Sequence, residues 1–364
     1  MNLKTTFVVT EPFEAARHVG VLPEGHRSRR LHGHSFLASI HCAMPEGFAI
    51  YPGGEIDTIK ARLQTQVKKL DYSLLNDHIE IPTDENIARW INTHCYVPGT
   101  EAISVQSTVD EGLEIDNHGT AHVWRRYYFQ AAHRLPHVAM GHKCGNMHGH
   151  GFAVVLQASH HVGEGDLSID YDLLDTHWKT VFDKLDHTCL NQIPGLENPT
   201  SELISKWIWN SVKQNFAELS AVTVYETASC GASYNGHDIQ IWKEFTLDSS
   251  VISKHAPDGN KRQKLHGYTY TLRLHLSAPL DVVMGWAVDF GDVKDKFNPI
   301  FKQIDHNPLH EIADLQDTDV RNLSRWILNK ARLLQPEVYR VDIFETKGCG
   351  AISKIEKKGP TLPF

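Results

Sequence analysis

His148-Gly149-His150, in the middle of a 364-residue chain, has two near copies: His32-Gly33-His34 before it and His266-Gly267-Tyr268 behind it, at intervals of 116 and 118 residues. A second landmark follows each copy. Leu70-Asp71-Tyr72, Leu185-Asp186-His187 and Ile304-Asp305-His306 are separated by 115 and 119 residues. A third, Trp90-Ile91, Trp207-Ile208 and Trp326-Ile327, repeats at 117 and 119. Three landmarks in one order at nearly one period describe three tandem modules. The period lies far above the roughly 20–50 residues of solenoid repeats, so each copy is a domain and not a stacked turn. The polar stretches Asp110 to His118 and Glu244 to Ser250 are the expected boundaries, giving modules at 1–118, 119–244 and 245–364.

Within the middle module, Val123 to Ala131 and Gly151 to Ser159 alternate apolar, aromatic and β-branched residues at a two-residue period, which predicts strands joined by a long loop. Apolar residues recur at helical spacing over Asp172 to Leu185 and Ser201 to Phe216. The second run opens on Pro199-Thr200-Ser201-Glu202, a cap followed by an acidic first turn. Ala221 to Tyr225 and His237 to Trp242 return to strand character. Strands grouped outside a helical pair, in the order β-β-α-α-β-β, point to an α+β module built on an antiparallel sheet.

Hydrophobic residues make up 41% of the chain and charged residues 22%, which supplies real cores and excludes disordered or collagen-like classes. No stretch approaches the roughly 18 apolar residues of a membrane helix, and no signal-peptide apolar region follows Met1. The expectation is a cytoplasmic protein without a membrane partner. Six scattered cysteines with no CxxC pair are expected to be free thiols. A formal charge of -8 argues against general affinity for nucleic acid. The 24 histidines nearly match the 25 glycines, so function is to be sought where the imidazoles fall.

Phe129, Ala131 and His133 share one strand face, and His148 and His150, two apart, share a face of the next strand. Three converging imidazoles with an open fourth position form the donor set of a catalytic zinc. Paired histidines standing alone are more often surface or hydrogen-bonded residues of a strand. Cys144, beside Lys143, has two readings: a thiol whose proton a nearby cation loosens, acting as base or nucleophile, or the fourth ligand of a closed structural site. Asp186-His187 reads as a carboxylate orienting a proton-relaying imidazole, or as a polar helix end, because adjacent helical residues do not face each other. Glu226, at a strand end, reads as an acceptor for a guanidine-like ring edge or as a solvated charge.

Phe129-Gln130-Ala131-Ala132-His133-Arg134-Leu135, Cys144-Gly145-Asn146-Met147-His148-Gly149-His150, Leu185-Asp186-His187-Thr188-Cys189-Leu190-Asn191, Glu197-Asn198-Pro199-Thr200-Ser201-Glu202 and Tyr225-Glu226-Thr227 run in order across nearly all of the middle module. Together they closely resemble the 6-pyruvoyl-tetrahydropterin synthase superfamily. The short interval between Cys144 and His148 is most like its bacterial 6-carboxytetrahydropterin synthase branch, of queuosine biosynthesis. The resemblance implies the tunnelling fold (T-fold), in which three modules close a β-barrel with helices outside. It implies His133, His148 and His150 as ligands of Zn2+, Cys144 as general base, Asp186 and His187 as proton relay, and Glu226 as the pterin anchor. The implied substrate is 7,8-dihydroneopterin triphosphate, converted to 6-carboxytetrahydropterin, acetaldehyde and triphosphate. A 6-pyruvoyl product, or a non-catalytic pterin-binding scaffold with structural zinc, are the alternatives.

Modules 1 and 3 depart from this pattern. Arg17 stands where module 2 has His133, Ser28 where it has Cys144, Tyr72 for His187 and Ser107 for Glu226. Module 3 carries Arg262 for Cys144 and Tyr268 for His150, lacks a good ligand strand, and retains Asp305, His306 and Glu345. The basic runs Arg27-Ser28-Arg29-Arg30 and Lys261-Arg262-Gln263-Lys264 are expected to be solvated loops, with attraction for a triphosphate or RNA as the alternative. One complete site per chain is therefore expected, its relay being Asp186-His187 or, from the third module, Asp305-His306. Three joined modules would close a pseudo-trimeric ring within one chain, and the resemblance implies that two rings stack. Light scattering should accordingly show a homodimer; a stable complex of three or six chains would contradict the arrangement.

Overall fold

The structure is a computed structural model that describes residues 3–163, 169–281, 283–315 and 317–355. Module 1 comprises β1 (Leu3–Arg17), β2 (His32–Cys42), α1 (Glu55–Val67), the short β3 (Ser73–Leu74), α2 (Asp84–His94), β4 (Thr100–Thr108) and β5 (Glu111–Asp116). Module 2 repeats the order as β6 (Thr120–His133), β7 (His148–His161), α3 (Tyr171–Leu185), the short β8 (Thr188–Cys189), α4 (Ser201–Lys213), β9 (Leu219–Thr227) and β10 (Cys230–Tyr234). Module 3 is β11 (Ile239–Val251), β12 (His266–Leu276), α5 (Phe290–Ile304), α6 (Val320–Leu334), β13 (Val338–Thr346) and β14 (Cys349–Ile355).

Twelve antiparallel strands close into one barrel, because β14 returns to pair with β1 from Leu3 opposite Ile355 to Val8 opposite Gly350. Between modules the sheet continues through the pairs β5–β6 and β10–β11. Closure leaves no sheet edge to solvent along these pairs, which is the stable answer for strands that would each be an open edge in an isolated module. The strand expected over His237 to Trp242 belongs to the next module: the fourth strand of module 2 is β10, and β11 runs unbroken through Glu244 and Ser250. The polar letters Lys243, Glu244, Asp248, Ser249 and Ser250 suggest a linker, yet they lie in a paired strand, with Glu244 bonded across it by Arg273.

Alternation sends one face of every strand outward under the helices and the other into the barrel. Phe7, Val9 and Phe13 of β1 share a buried cluster with Ile59 and Leu63 of α1, while the intervening Val8 packs instead with Phe344 and Ile352. The second helix of each module begins on a side-chain cap: Thr83, Thr200 and Asp319 accept backbone N–H groups of the first turn. These caps fix where the preceding backbone carbonyl points, which matters at the sites below.

A second recurrent device holds the loop after each first helix. Asp71, Asp186 and Asp305 accept the amide N–H of Glu14, Gln130 and Asp248, and the next residue's N–H donates back to the carbonyl of that same strand residue at 2.6 Å. The residues that turn the corner, Tyr72, His187 and His306, have φ of 50°, 54° and 54° and are the non-glycine residues with positive φ among those described. Such a conformation costs about 1 kcal/mol or more, so the two-bond clamp must hold it. Because Asp71 clamps without a histidine beside it, this aspartate is a structural fixture of every module.

Each module's last hairpin crosses a backbone closely at one glycine. A Cβ on Gly231 would lie 2.1 Å from the carbonyl oxygen of Val224, and one on Gly350 2.0 Å from that of Ile343. Since β14 closes the ring, Gly350→Val should destabilise the whole barrel by about 3 kcal/mol or more, read as a lowered denaturation midpoint; an unchanged midpoint would show that closure tolerates slippage at this strand.

Candidate functional site

His133 ends β6 directly opposite His148, which begins β7, so the two imidazoles meet across the last pair of the hairpin and His150 joins them two residues on. Their ligand atoms and a carboxylate oxygen of Glu226 all lie within 4.8 Å of one another. The tautomers are set by backbone carbonyls. His133 Nδ1 donates to Pro199 O at 2.9 Å, and His148 Nδ1 donates to Asn146 O at 2.8 Å. Each Nε2 therefore keeps its lone pair, the arrangement that second-sphere carbonyls impose on metal-binding imidazoles.

The Nε2 atoms of His133 and His150 are buried and lack a hydrogen-bond partner, with Glu226 Oε1 at 3.8 and 3.4 Å respectively. Burial pushes the pKa of both rings below the ordinary histidine value, more than the neighbouring Glu226 raises it. Imidazoles whose charged form burial disfavours, two of them with Nε2 held free by carbonyl-bound Nδ1, beside a carboxylate, have the donor chemistry of a divalent cation site, and the residues present fit a zinc ion. The caps explain the alignment: Thr200 starts α4 so that Pro199 O faces β6, and Ser201 Oγ donates to Glu226 Oε2 at 2.9 Å.

The other expected site residues fall around this group. Cys144 sits half-buried in a tight turn, its carbonyl tied to Leu135 N, and its sulfur lies outside the group of converging ligand atoms. Burial and the charges of Glu226 and Asp289 push its thiol pKa up, against Lys143. The expected easily lost proton is thus absent from the protein's own electrostatics. His187 is exposed, with Nδ1 2.7 Å from Asp186 Oδ2. Helical geometry would have kept these neighbours apart, but Asp186 has already left the helix and His187 turns back with its positive φ. His306 pairs with Asp305 at 3.0 Å in the same way, and that carboxylate raises its pKa. A cavity of about 500 Å³ is lined by Gln130, Gly149, His150, Gly151 and His187, so His187 and one converging imidazole border a common space.

The site lies on a seam with module 3, the neighbour from which an alternative relay was expected. Asn198 Nδ2 donates to Met284 O, Thr200 Oγ1 to Gly285 O, and Ala287 N to Glu202 Oε1, all across to module 3. His142 and Cys144 likewise face Asp289, the cap of α5. The motif Pro199-Thr200-Ser201-Glu202 reads locally as a helix start; that the same four residues also bind the following module leaves no local signal.

The corresponding seams are each filled by an arginine. In module 1, Arg17 lies opposite His32 as His133 lies opposite His148. Its Nη1 donates to Pro82 O at 3.0 Å, the counterpart of the His133–Pro199 bond, and to Asp84 at 2.6 Å, while Nη2 lies 3.3 Å from His34 Nε2. Ser107 and Tyr171 complete the coordination of Asp84. In module 3 the missing ligand strand is present, but β11 ends in Val251 opposite His266. Arg262 is not solvated, contrary to expectation: it bonds Glu345, Tyr268 and, across the seam, Asp57.

A family model described as 6-pyruvoyl tetrahydropterin synthase matches the chain three times, over residues 6–108, 122–237 and 240–356. A 6-carboxy-5,6,7,8-tetrahydropterin synthase from Synechocystis is 36% identical over 119 residues, covering 31% of this chain and 91% of that protein. A putative enzyme of the same name from Archaeoglobus fulgidus is 37% identical over 99 residues, covering 27% and 81%. Among solved structures, the 6-pyruvoyl tetrahydropterin synthase of Caenorhabditis elegans matches with 23% identity and a TM-score of 0.29, over 32% of this chain and 96% of that one.

Two outcomes follow from the seams. Arg17→Ala leaves Asp84 buried without its cation and should cost about 3–5 kcal/mol by urea denaturation; a loss below about 1 kcal/mol would mean that the pair is idle. Glu202, whose pKa burial pushes up to about 7, binds its proton more tightly when folded. Its contribution is full below the unfolded value near 4.5 and is lost as pH rises through 7. Glu202→Gln should therefore gain stability relative to the parent between pH 5 and 8, and parallel pH–stability curves would refute the assignment.

Proposed function

The chain belongs to the 6-pyruvoyl tetrahydropterin synthase family, and from that premise we propose that it is a zinc-dependent 6-carboxytetrahydropterin synthase acting on 7,8-dihydroneopterin triphosphate through the second module alone. The observation that carries this reading is the convergence of His133, His148 and His150 with two buried, unpartnered Nε2 atoms. The carboxy product is favoured over the pyruvoyl one by the names of the relatives at 36% and 37% identity. A place in queuosine biosynthesis and in the cytoplasm goes with that reading.

A zinc ion held by the three imidazoles would supply a Lewis acid for the oxygen atoms of the substrate side chain. Glu226, fixed by Ser201, takes the donor edge of the pterin ring and so sets which carbon faces the imidazoles. Glu345, at the same place in module 3, binds a guanidinium through both oxygens, which supports that role for the carboxylate position. Cys144, between Glu226 and Asp289, holds its proton until positive charge is brought near, which confines its action as a base to the loaded site. His187, with Nδ1 engaged by Asp186 and its ring exposed, accepts or returns a proton from solvent. Asp305–His306 is the same device on the third module and serves as the alternative relay.

Incubation with dihydroneopterin triphosphate should release acetaldehyde and 6-carboxytetrahydropterin. Cys144→Ala should lower turnover by on the order of 10²-fold or more with bound metal unchanged. Loss of metal in that variant would instead make the centre a closed structural site, and an unreactive, metal-replete protein would make it a scaffold.

A further inference from the structure

We propose that the seam between modules 3 and 1 is a receptor for a planar guanidine-type group, and that Arg262 is its built-in occupant. A guanidinium has five N–H donors, and at this position all five are used. Nε and Nη2 bind the two oxygens of Asp57 at 2.8 Å each, Nη2 and Nη1 bind the two oxygens of Glu345 at 2.7 and 3.1 Å, and Nη1 also reaches Tyr268 OH at 3.0 Å. Tyr51 OH in turn donates to Asp57 Oδ2 at 2.9 Å, fixing the carboxylate that comes from the neighbouring module. The Arg262 side chain is only 14% exposed. Two bidentate carboxylates, a phenol oxygen and low solvent access form a complete recognition site, not a surface ion pair.

The living seam shows what an emptied version looks like. Asp57, Asp172 and Gly291 each stand fourteen residues before the clamp aspartates Asp71, Asp186 and Asp305. Where the loop residue is Arg262, the facing module offers Asp57; where it is Cys144, the position equivalent to Asp57 is Gly291, without a side chain, and the carboxylate facing the loop is that of Asp289. Glu226 and Glu345 are retained in both. Module 3 thus keeps the edge-reading carboxylate and answers it from within the chain. The shared chemistry, an N–C–N donor edge, is found in a guanidinium cation and in a neutral 2-amino-4-oxo ring such as a pterin. The pterin arm rests on the function proposed above, and the guanidinium arm does not.

The test uses the full chain carrying Arg262→Ala, with methylguanidine and neopterin as probes in equilibrium dialysis. The variant should bind one methylguanidine per chain at least about tenfold more tightly than the parent, and adding Glu345→Gln should abolish it. A neopterin stoichiometry raised by one per chain would identify a ring-reading pocket, and an unchanged one a pocket restricted to the cation; failure of the second module to bind neopterin would count against the proposed function and leave the methylguanidine result intact. If Arg262→Ala does not fold alone, millimolar methylguanidine should restore folding. Binding no different from the parent, or a misfolded variant that methylguanidine does not rescue, overturns the proposal.

Discussion

The pairing of Leu3–Val8 with Gly350–Ile355 joins the two ends of the sheet, and every other feature of the molecule is placed by that join. Once β14 lies beside β1, the three modules stand in a ring and each must present its hairpin loop to the helix start of the next. The loop carrying His26 and Arg27 meets Asp170 and Asp172, the one carrying His142 and Cys144 meets Asp289, and the one carrying Arg262 meets Asp57. A seam of this kind gathers acidic groups from both sides in partly buried positions, where unpaired charge is costly. Each seam must therefore find a cation or remain open to water and ligand.

Seen in this way, the degenerate modules are not simply sites that have decayed. Arg17 enters the place of an imidazole and takes the carbonyl of Pro82 that a histidine would have used, while recruiting Asp84 where module 2 has Ser201. Arg262 enters from the loop instead and recruits Asp57 where module 2 faces Gly291. Both arginines occupy the pocket from within the chain: Arg262 bonds directly across its seam to Asp57, and Arg17 holds Asp84, to which Tyr171 of the next module donates. The middle seam keeps orphaned imidazole nitrogens and a half-buried thiol in place of an internal cation, at the expense of stability that the two arginine seams supply.

Much of this was legible in the sequence because the repeats compare the chain with itself. The equal spacing from Phe13 to His32 and from Phe129 to His148 placed Arg17 on the ligand position, and the register of β1 and β6 agrees. In the middle module, two-residue alternation found the long first hairpin and helical spacing found the helix pair. The reading failed where local chemistry and topology diverge. Polar residues of β11 resemble a linker, but their side chains are bonded across the sheet, so composition alone misplaced the junction. Val251 escaped notice because an apolar strand end carries no sign of the ligand it replaces. Arg262 looked like one more basic loop residue, since its partner Asp57 lies 205 positions away and only the closed ring brings them together.

With Arg17 and Arg262 in the other two seams, one seam is left to hold a metal, and metal content per chain reads this out. Protein purified without chelator should carry about one zinc per chain, lost on His133→Ala and retained on His32→Ala. Three zinc ions per chain, or one that survives His133→Ala, would contradict the account.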